Sequence, residues 1–361
     1  MGFQRITLNN FRNLKNQVID TSANEIFLVG ENGQGKSNFL EAIYYLNYGS
    51  SFRTYFDKEV IKKEENFFII KGVKSYSDMI PKEIIVSYDK EKKSIIIDNK
   101  SIDDRKILVE LNPCIIFSHD DIKFINGPPS FKRKFFDQTI SLFYNNYIDN
   151  LRDYNKYLKM RNVAIKNNQV KMIDAIDKNF VKLGFEIQNF RKKIIDEVGI
   201  LFSDLFQKIT SMEDELKILY KPSWRNFSTE ESILNYLKNQ RKNDFRWKTT
   251  TSGPHRDKFT FLLNRHDFIK TASTGQIRMI ALVLKLVQSH LFIKLSDKYP
   301  IIIIDDALLE LDVSKRIRFF NILPKYDQAF FAFLPDEPFK KYAGADTIIY
   351  KVKDGMVLNY G

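Results

Sequence analysis

The sequence predicts an α/β fold assembled from both ends of the chain and interrupted by an inserted α-helical hairpin. Three observations predict it. Residues 301–304 form a short apolar run of the kind buried inside parallel sheets, and residues 329–334 look like another. Between residues 136 and 201 the apolar positions recur instead in alternating steps of three and four, the seam of packed helices. Residues 30–37 form a Gly-rich turn between an apolar strand and a helix with one apolar face.

In chain order, residues 6–11 alternate apolar and polar side chains, as a strand does. Residues 26–29 are a short apolar strand that ends in the Gly-rich turn. The following helix has an apolar face of Phe39, Leu40, Ile43, Tyr44 and Leu46. Residues 67–73, 83–88 and 94–97 read as antiparallel strands, with turns at 75–81 and 89–93. Cys114 lies in the apolar stretch 114–117 and reads as core. The helical seam runs from Phe136 to position 158, breaks at Asn167-Asn168-Gln169, and resumes from 173 to 201. Two helices of about thirty residues around that polar turn would form an arm roughly 45 Å long, at 1.5 Å per residue. Such an arm serves as scaffold, lever or docking surface. Ala281, Leu282, Leu284, Lys285, Leu286 and Leu291 belong to a later helix, and the last thirty residues return to short strands. The expected division is an α/β domain from residues 1–120 and 251–361, with residues 121–250 as a helical second domain.

The 361 residues are 43% hydrophobic and 28% charged, enough for more than one core. The 31 Phe and 17 Tyr interleave with Lys and Asn as core stripes. A net charge of +12, spread along the chain, favours phosphate-rich partners or reflects Lys on many solvated faces. The single cysteine excludes an internal disulfide, and the chain has no Cys/His cluster. Both point to a reducing compartment and away from a structural zinc. The start Met1-Gly2-Phe3-Gln4-Arg5-Ile6 has no apolar signal region, and Ile6 breaks the myristoylation pattern. The run 301–304 is too short to span a bilayer. The expected location is the cytoplasm, with no membrane partner.

Gly30-Glu31-Asn32-Gly33-Gln34-Gly35-Lys36-Ser37 fits the P-loop pattern without a gap and in the required strand–loop–helix setting. Its glycines let the backbone turn N–H groups inward around phosphate, and the helix N-terminus adds partial positive charge. Lys36 is expected to reach the β- and γ-phosphates, and the Ser37 hydroxyl to ligate Mg²⁺. The strand 301–304 ends in Asp305-Asp306, beside the crevice where open α/β sheets bind ligands. Asp305 would hold Mg²⁺ through water, and Asp306 would polarise the attacking water. Ser273-Thr274-Gly275-Gln276-Ile277-Arg278 opens the late helix. Alone it is an N-cap; between the other two motifs it is a candidate for a second phosphate contact.

Together the three motifs resemble the Walker A, signature and Walker B motifs of ABC-type ATPases, and closely those of the RecF family of DNA replication and repair proteins. Further stretches are similar to that family: residues 8–13 (Leu-Asn-Asn-Phe-Arg-Asn), Glu41-Ala42-Ile43, Ser51-Phe52-Arg53-Thr54, and Ile116-Phe117-Ser118 with Asp121. So are Gly127-Pro128-Pro129, residues 132–137, residues 252–257 and Asp305-Asp306 followed by Glu310-Leu311-Asp312. The resemblance spans residues 1 to about 320. It implies a P-loop ABC-type ATPase head with an inserted helical hairpin domain, similar to the heads of SMC proteins. It further implies ATP and Mg²⁺ as cofactors, weak ATP hydrolysis used as a switch, and an ATP-held homodimer. In that dimer the loop residues through Lys36, Ser37 and Asn38 would face Ser273, Gly275 and Gln276 of a second copy. Arg12 would lie near the nucleotide phosphates and Asp312 at the dimer junction. DNA with gaps or single-strand/double-strand junctions, RecO and RecR are the implied partners, with loading of RecA as the outcome.

Several positions depart from the family pattern. His119 stands where Pro is usual, Leu309 replaces a small residue, and residues 331–335 (Phe-Ala-Phe-Leu-Pro) replace a Thr-rich strand end. His255, in Gly253-Pro254-His255-Arg256-Asp257, is the better candidate for a functional histidine, or else a surface turn residue. Candidate DNA contacts are Lys132, Arg133 and Lys134, then Arg191-Lys192-Lys193, then Arg241-Lys242 with Arg246 and Lys248. Two alternatives remain open: an SMC-like head working mainly through protein partners, and the ATPase subunit of a transporter.

Overall fold

A computed structural model of the chain describes residues 2–77, 80–89, 92–144, 146–211, 216–308 and 311–360. The chain divides into two compact units, Met1–His119 with Phe292–Gly361, and Asp120–Leu291.

The first unit opens with β1 (Gly2–Asn9), β2 (Gln17–Asp20), β3 (Glu25–Val29) and α1 (Lys36–Tyr48). It continues through β4 (Phe67–Ser75), β5 (Lys82–Asp89), β6 (Lys92–Ile97), β7 (Lys100–Ser101), α2 (Lys106–Leu111) and β8 (Cys114–Ser118). The second unit holds α3 (Lys123–Asn126), α4 (Pro129–Ser141), α5 (Tyr147–Lys166), α6 (Val170–Thr210), β9 (Leu216–Lys221), α7 (Glu230–Trp247), β10 (Lys258–Leu263) and β11 (His266–Asp267). Helix α8 (Thr274–Ser296) runs across the boundary in the chain. The first unit is then completed by β12 (Ile301–Asp305), α9 (Val313–Ile322), β13 (Gln328–Phe333), β14 (Thr347–Lys353) and β15 (Met356–Asn359).

Two six-stranded sheets build the first unit. One, in the order β2-β1-β4-β5-β6-β7, is antiparallel. Its β4 alternates buried and half-buried residues, because only one face meets the core. The other, in the order β15-β14-β3-β13-β12-β8, is parallel except for β15. Every residue of β12 and β13 is buried, which is why these strands read as unbroken apolar runs. Helix α1 packs against strands of both sheets and places Phe39, Leu40, Ile43 and Leu46 in one shared core. Phe11 meets Tyr45 and Phe68 edge-on there, at 5.6 and 5.5 Å between ring centres. The register sets Ile304 beside Phe331 and Phe117, and Val29 beside Phe333. The carboxyl ends of β3, β12 and β13 therefore finish at one edge of the sheet.

In the second unit α5 and α6 form the antiparallel hairpin around residues 167–169. The first half of the expected hairpin is broken between Ser141 and Tyr147 into α4 and α5, and α5 has only 20 residues. Helix α6 instead has 41 residues, about 60 Å at the helical rise. Gly184 sits on its inner side, where a Cβ would lie 2.6 Å from the Trp224 ring, so glycine allows the indole to pack flush. The unit extends to Leu291, not to residue 250 as the sequence suggests. The reason is strand pairing: β10, beyond that boundary, pairs along its whole length with β9. Helix α8 is long and apolar enough to cross a membrane, yet Ile280, Val283, Leu284, Val287 and Leu291 are buried in protein.

Candidate active site

Strand β3 delivers the chain into the loop of residues 30–35, and α1 begins at Lys36. The loop leaves the sheet under tight constraint. Gly30 donates its N–H to Phe333 O at 3.2 Å, and a Cβ on Gly30 would lie 2.3 Å from Val352 O. Gly35 adopts φ 119°, and a Cβ there would press on Leu14 and Asn13. The β14–β15 turn braces the loop from outside. Gln34 accepts Gly355 N–H on its carbonyl at 3.0 Å and Asp354 N–H on its Oε1 at 2.7 Å. Asp354 and Gly355 both have positive φ, the signature of a tight hairpin turn. That Asp-Gly pair is the signal by which sequence reasoning could have found this brace.

The charged groups gather at the same edge. Lys36 Nζ donates to Gly30 O at 2.6 Å and to Glu31 O at 3.0 Å. Burial lowers its pKa, against the pull of Asp306, Asp305, Glu31 and Glu337. Ser37 Oγ donates to Asp305 Oδ1 at 2.7 Å. Burial pushes Asp305 up to about 6; the Ser37 hydrogen bond opposes this, and neighbouring Asp306 adds to it. Asp306 is held at φ 53°, a strained backbone for a non-glycine residue, and its buried Oδ1 has no hydrogen-bond partner among the described residues. A glycine-rich loop at a helix start, an ammonium, a hydroxyl–carboxylate pair and an unsatisfied carboxylate oxygen are the parts of a phosphate and hard-cation site. Glu31, Asn32 and Gly33 lie on the exposed outer side of the loop.

Other expected positions behave differently. The Arg12 guanidinium is engaged in the protein itself: Nε and Nη2 grip Glu41 at 2.9 and 2.8 Å, and Nη1 donates to Glu59 O at 2.8 Å. Its neighbour Asn13 is the residue that touches the loop, donating to Gly33 O at 3.2 Å and accepting from Asn38 Nδ2 at 2.7 Å. Asn38 in turn accepts from Arg53 at 2.6 Å. Glu41, fully buried, also accepts from Ser51. Asn13, Glu41 and Arg53 thus form a scaffold that the motif reading does not rank. The strand end 331–335 leads to Glu337, which caps Leu334 N–H at 2.7 Å and pairs with Arg316 at 2.6 Å. Asp312 is exposed and caps α9, accepting from Lys315 N–H at 2.9 Å. Leu309 and Glu310 lie outside the described residues.

In the second unit, Ser273 and Gln276 cap α8 reciprocally, at 2.9 and 3.3 Å. Ser273 and Gly275 are exposed. His255 is half-buried, with both ring nitrogens hydrogen-bonded. Its Nε2–H donates to Thr250 O at 3.1 Å, so its Nδ1 accepts from the Tyr154 hydroxyl at 2.7 Å, and burial lowers its pKa to about 4. Asp257 is fully buried and accepts from Arg191 at 2.7 Å, Gln188 at 2.6 Å and Ser223 N–H at 2.7 Å. Arg191 also holds Asp137 with two bonds of 2.9 Å. In two of the candidate DNA clusters the arginine is therefore engaged within the protein, while Lys192 and Lys193 stay exposed. Arg191 is buried, Arg133 donates to Asp257 O at 3.0 Å, and Lys132 lies over the Phe261 ring at 5.7 Å, while Lys134 is exposed.

Comparison with known proteins agrees with this architecture. Residues 3–354 match the RecF/RecN/SMC N-terminal domain family. The DNA replication and repair protein RecF of Treponema pallidum is 37% identical over 97% of this chain and 99% of its own length. That of Clostridium perfringens is 30% identical over 99% of each. A solved structure of the recombination mediator protein RecF with ATP superimposes with a TM-score of 0.90 at 28% identity, covering 100% of this chain and 98% of that one. An Smc head, at 14% identity and a TM-score of 0.58, shares the fold. With a P-loop ABC-type ATPase head, a helical insertion and full-length similarity to these relatives, the chain belongs to the RecF family of DNA replication and repair proteins.

Proposed function

We propose that this chain is an ATP-dependent DNA-binding protein of recombinational repair and replication, and that ATP drives it to dimerise on gapped or junction DNA. The observation that carries the reading is the meeting of Lys36, Ser37, Asp305 and Asp306 at one sheet edge. A triphosphate with Mg²⁺ fits these residues. Hard oxygens of Ser37 and Asp305 stand together, Gly30 and Gly35 let the loop lie close against Val352 O and Leu14, and the buried Asp306 Oδ1 is placed to accept from a water. Bound there, the metal supplies charge neutralisation to the phosphates. The amides of residues 30–37 and the Asn38 turn would hold the phosphate chain, Lys36 would meet the β- and γ-phosphates, and Asp306 would orient the attacking water. The strand end at 331–335, without Thr or His, suits slow hydrolysis used as a switch.

The signature stretch supports closure against a second copy. Gly275 is exposed in the first turn of α8, and a Cβ there would meet nothing. Its own surroundings leave room for a side chain, and a second copy approaching this helix start would use that space. Ser273, Gly275 and Gln276 are assigned to the nucleotide of the second copy, and Asp312 to the junction. The relatives' place in the RecFOR pathway extends the reading to RecO and RecR as partners, to RecA loading as the result, and to the cytoplasm as the location. The test is mass by light scattering with ATP and Mg²⁺, with ADP, and for Lys36→Met. A dimer with ATP alone, and a monomeric variant, is the expected result. A wild-type monomer at saturating ATP contradicts the reading, as does DNA affinity that ATP leaves unchanged at several salt concentrations.

A further inference from the structure

Helix α7 carries a cationic face that the fold does not use. Its inner seam is Ile233, Leu237 and Asp244, all buried. Lys238, Lys242 and Arg246, four residues apart, line the opposite face over about 12 Å. Exposed Asn239 and Asn243 lie between them, and exposed Asn235 precedes them on the same face. Among the described residues none of these cations forms an ion pair, and neither does Lys248, whereas Arg241 beside them is bound to Asp174 at 2.7 Å. The one acid in this half of the helix, Asp244, is turned inward and held by Arg161 at 2.6 Å, so it does not offset their charge. Like charges at i,i+4 weaken a helix, and here the pairing occurs twice. The helix dipole welcomes Arg246 and Lys248 at the C-terminus but gives no reason for Lys238 and Lys242. At the end of the face Trp247 is 66% exposed, with the Arg246 guanidinium 5.8 Å from its ring centre.

Unpaired cations at regular spacing suit a phosphate backbone, and a solvent-facing indole suits an unstacked base. We propose that this face of α7, ending in Trp247, is a binding site for single-stranded nucleic acid. Phosphates lie along Lys238, Lys242 and Arg246, and one unpaired base stacks on Trp247. Stacking accepts any base and amides contact the backbone, so the site has no sequence preference. The proposal rests on the reading of this chain as DNA-binding and adds the surface and the strand form.

The chain supplies its own reporter. It has two tryptophans, and the other, Trp224, is 1% exposed. Titrating the full-length protein with oligodeoxythymidylate should quench Trp247 fluorescence to saturation. Trp247→Ala should lose the quenching and about tenfold in affinity, while Trp247→Phe loses the signal but keeps most of the affinity. The triple change Lys238→Ala, Lys242→Ala, Arg246→Ala should flatten the plot of log K against log salt by about 2, at roughly 0.7 per phosphate contact. It should leave ATP binding unchanged. If oligodeoxythymidylate binds without quenching, or the triple variant keeps the wild-type slope, the α7 site is wrong and DNA binding must be placed elsewhere. If no DNA binds in any nucleotide state, the DNA-binding reading itself falls, and this site with it.

Discussion

Ser37 and Asp305, 268 residues apart in the chain, are joined by a 2.7 Å hydrogen bond at the common edge of β3 and β12. The bond is local evidence that the loop and the strand end form one site. Ser37→Ala leaves the buried Asp305 carboxyl without its donor and removes one hard oxygen from the cation position. The expected outcome is little change in ATP binding without Mg²⁺ and a loss of roughly 100-fold in Mg²⁺-supported turnover. A variant that binds and hydrolyses Mg²⁺-ATP like wild type removes Ser37 from the cation site.

Asp306 separates binding from chemistry. Its strained backbone aims a carboxylate with one unsatisfied buried oxygen beside Lys36. Asp306→Asn keeps the shape and removes the basic oxygen pair. ATP affinity should survive, and single-turnover hydrolysis should fall by about 10² to 10⁴. Parallel loss of binding and turnover would show that Asp306 holds the nucleotide instead.

The glycines of the loop make a graded series. Gly30→Ala meets a backbone carbonyl at 2.3 Å, and nothing at that point can yield cheaply. Gly33, at φ 78°, has nothing within 4 Å of its would-be Cβ, so alanine there costs only the left-handed backbone, about 1–2 kcal/mol. Denaturant midpoints should therefore fall much further for Gly30→Ala than for Gly33→Ala. Equal losses mean that the loop's fit against β14 does not decide its stability.

Much of this was legible in the sequence because it depends on short-range rules. The unbroken apolar runs of β12 and β13, and the Gly-rich turn opening α1, follow from sheet burial and phosphate geometry. What was not legible depends on distant partners. Nothing near Arg12 announces Glu41 as its counter-ion, and nothing near residue 250 shows that β10 pairs with β9. Arg191 and Arg133 read as surface charge because a Lys/Arg run looks the same whether its partners are phosphates or a buried Asp257.

That buried charge network is a further test. Arg191 is nearly inaccessible and neutralises both Asp137 and Asp257. Arg191→Met keeps the bulk and strands a fully buried carboxylate, which typically costs about 3–5 kcal/mol. Burial already raises the Asp257 pKa, so protonation below neutral pH should recover part of the loss. Urea unfolding of the variant at two pH values measures both effects. A neutral substitution would mean that the network adds no stability.

His255 gives the chain a pH dependence of definite sign. Folding buries its ring between Tyr154 and Thr250 and lowers its pKa from 6.5 to about 4. Above pH 6.5 the ring is neutral in both states and adds no dependence. As pH falls from 6.5 towards 4, the unfolded chain binds a proton that the folded chain refuses, so stability drops with falling pH. Below about pH 4 both states carry the proton and the loss is complete, at about 3 kcal/mol for this shift at 1.36 kcal/mol per unit. Carboxylates titrate in the same window, so the comparison must be with His255→Gln, which keeps an N–H for Thr250 O and has no proton to gain. The variant should be less stable at pH 7 yet show a shallower fall between pH 6.5 and 4 than the wild type. If the two stability profiles run parallel across that window, the ring is not the neutral, buried link between α5 and the residue 250 loop that its contacts describe.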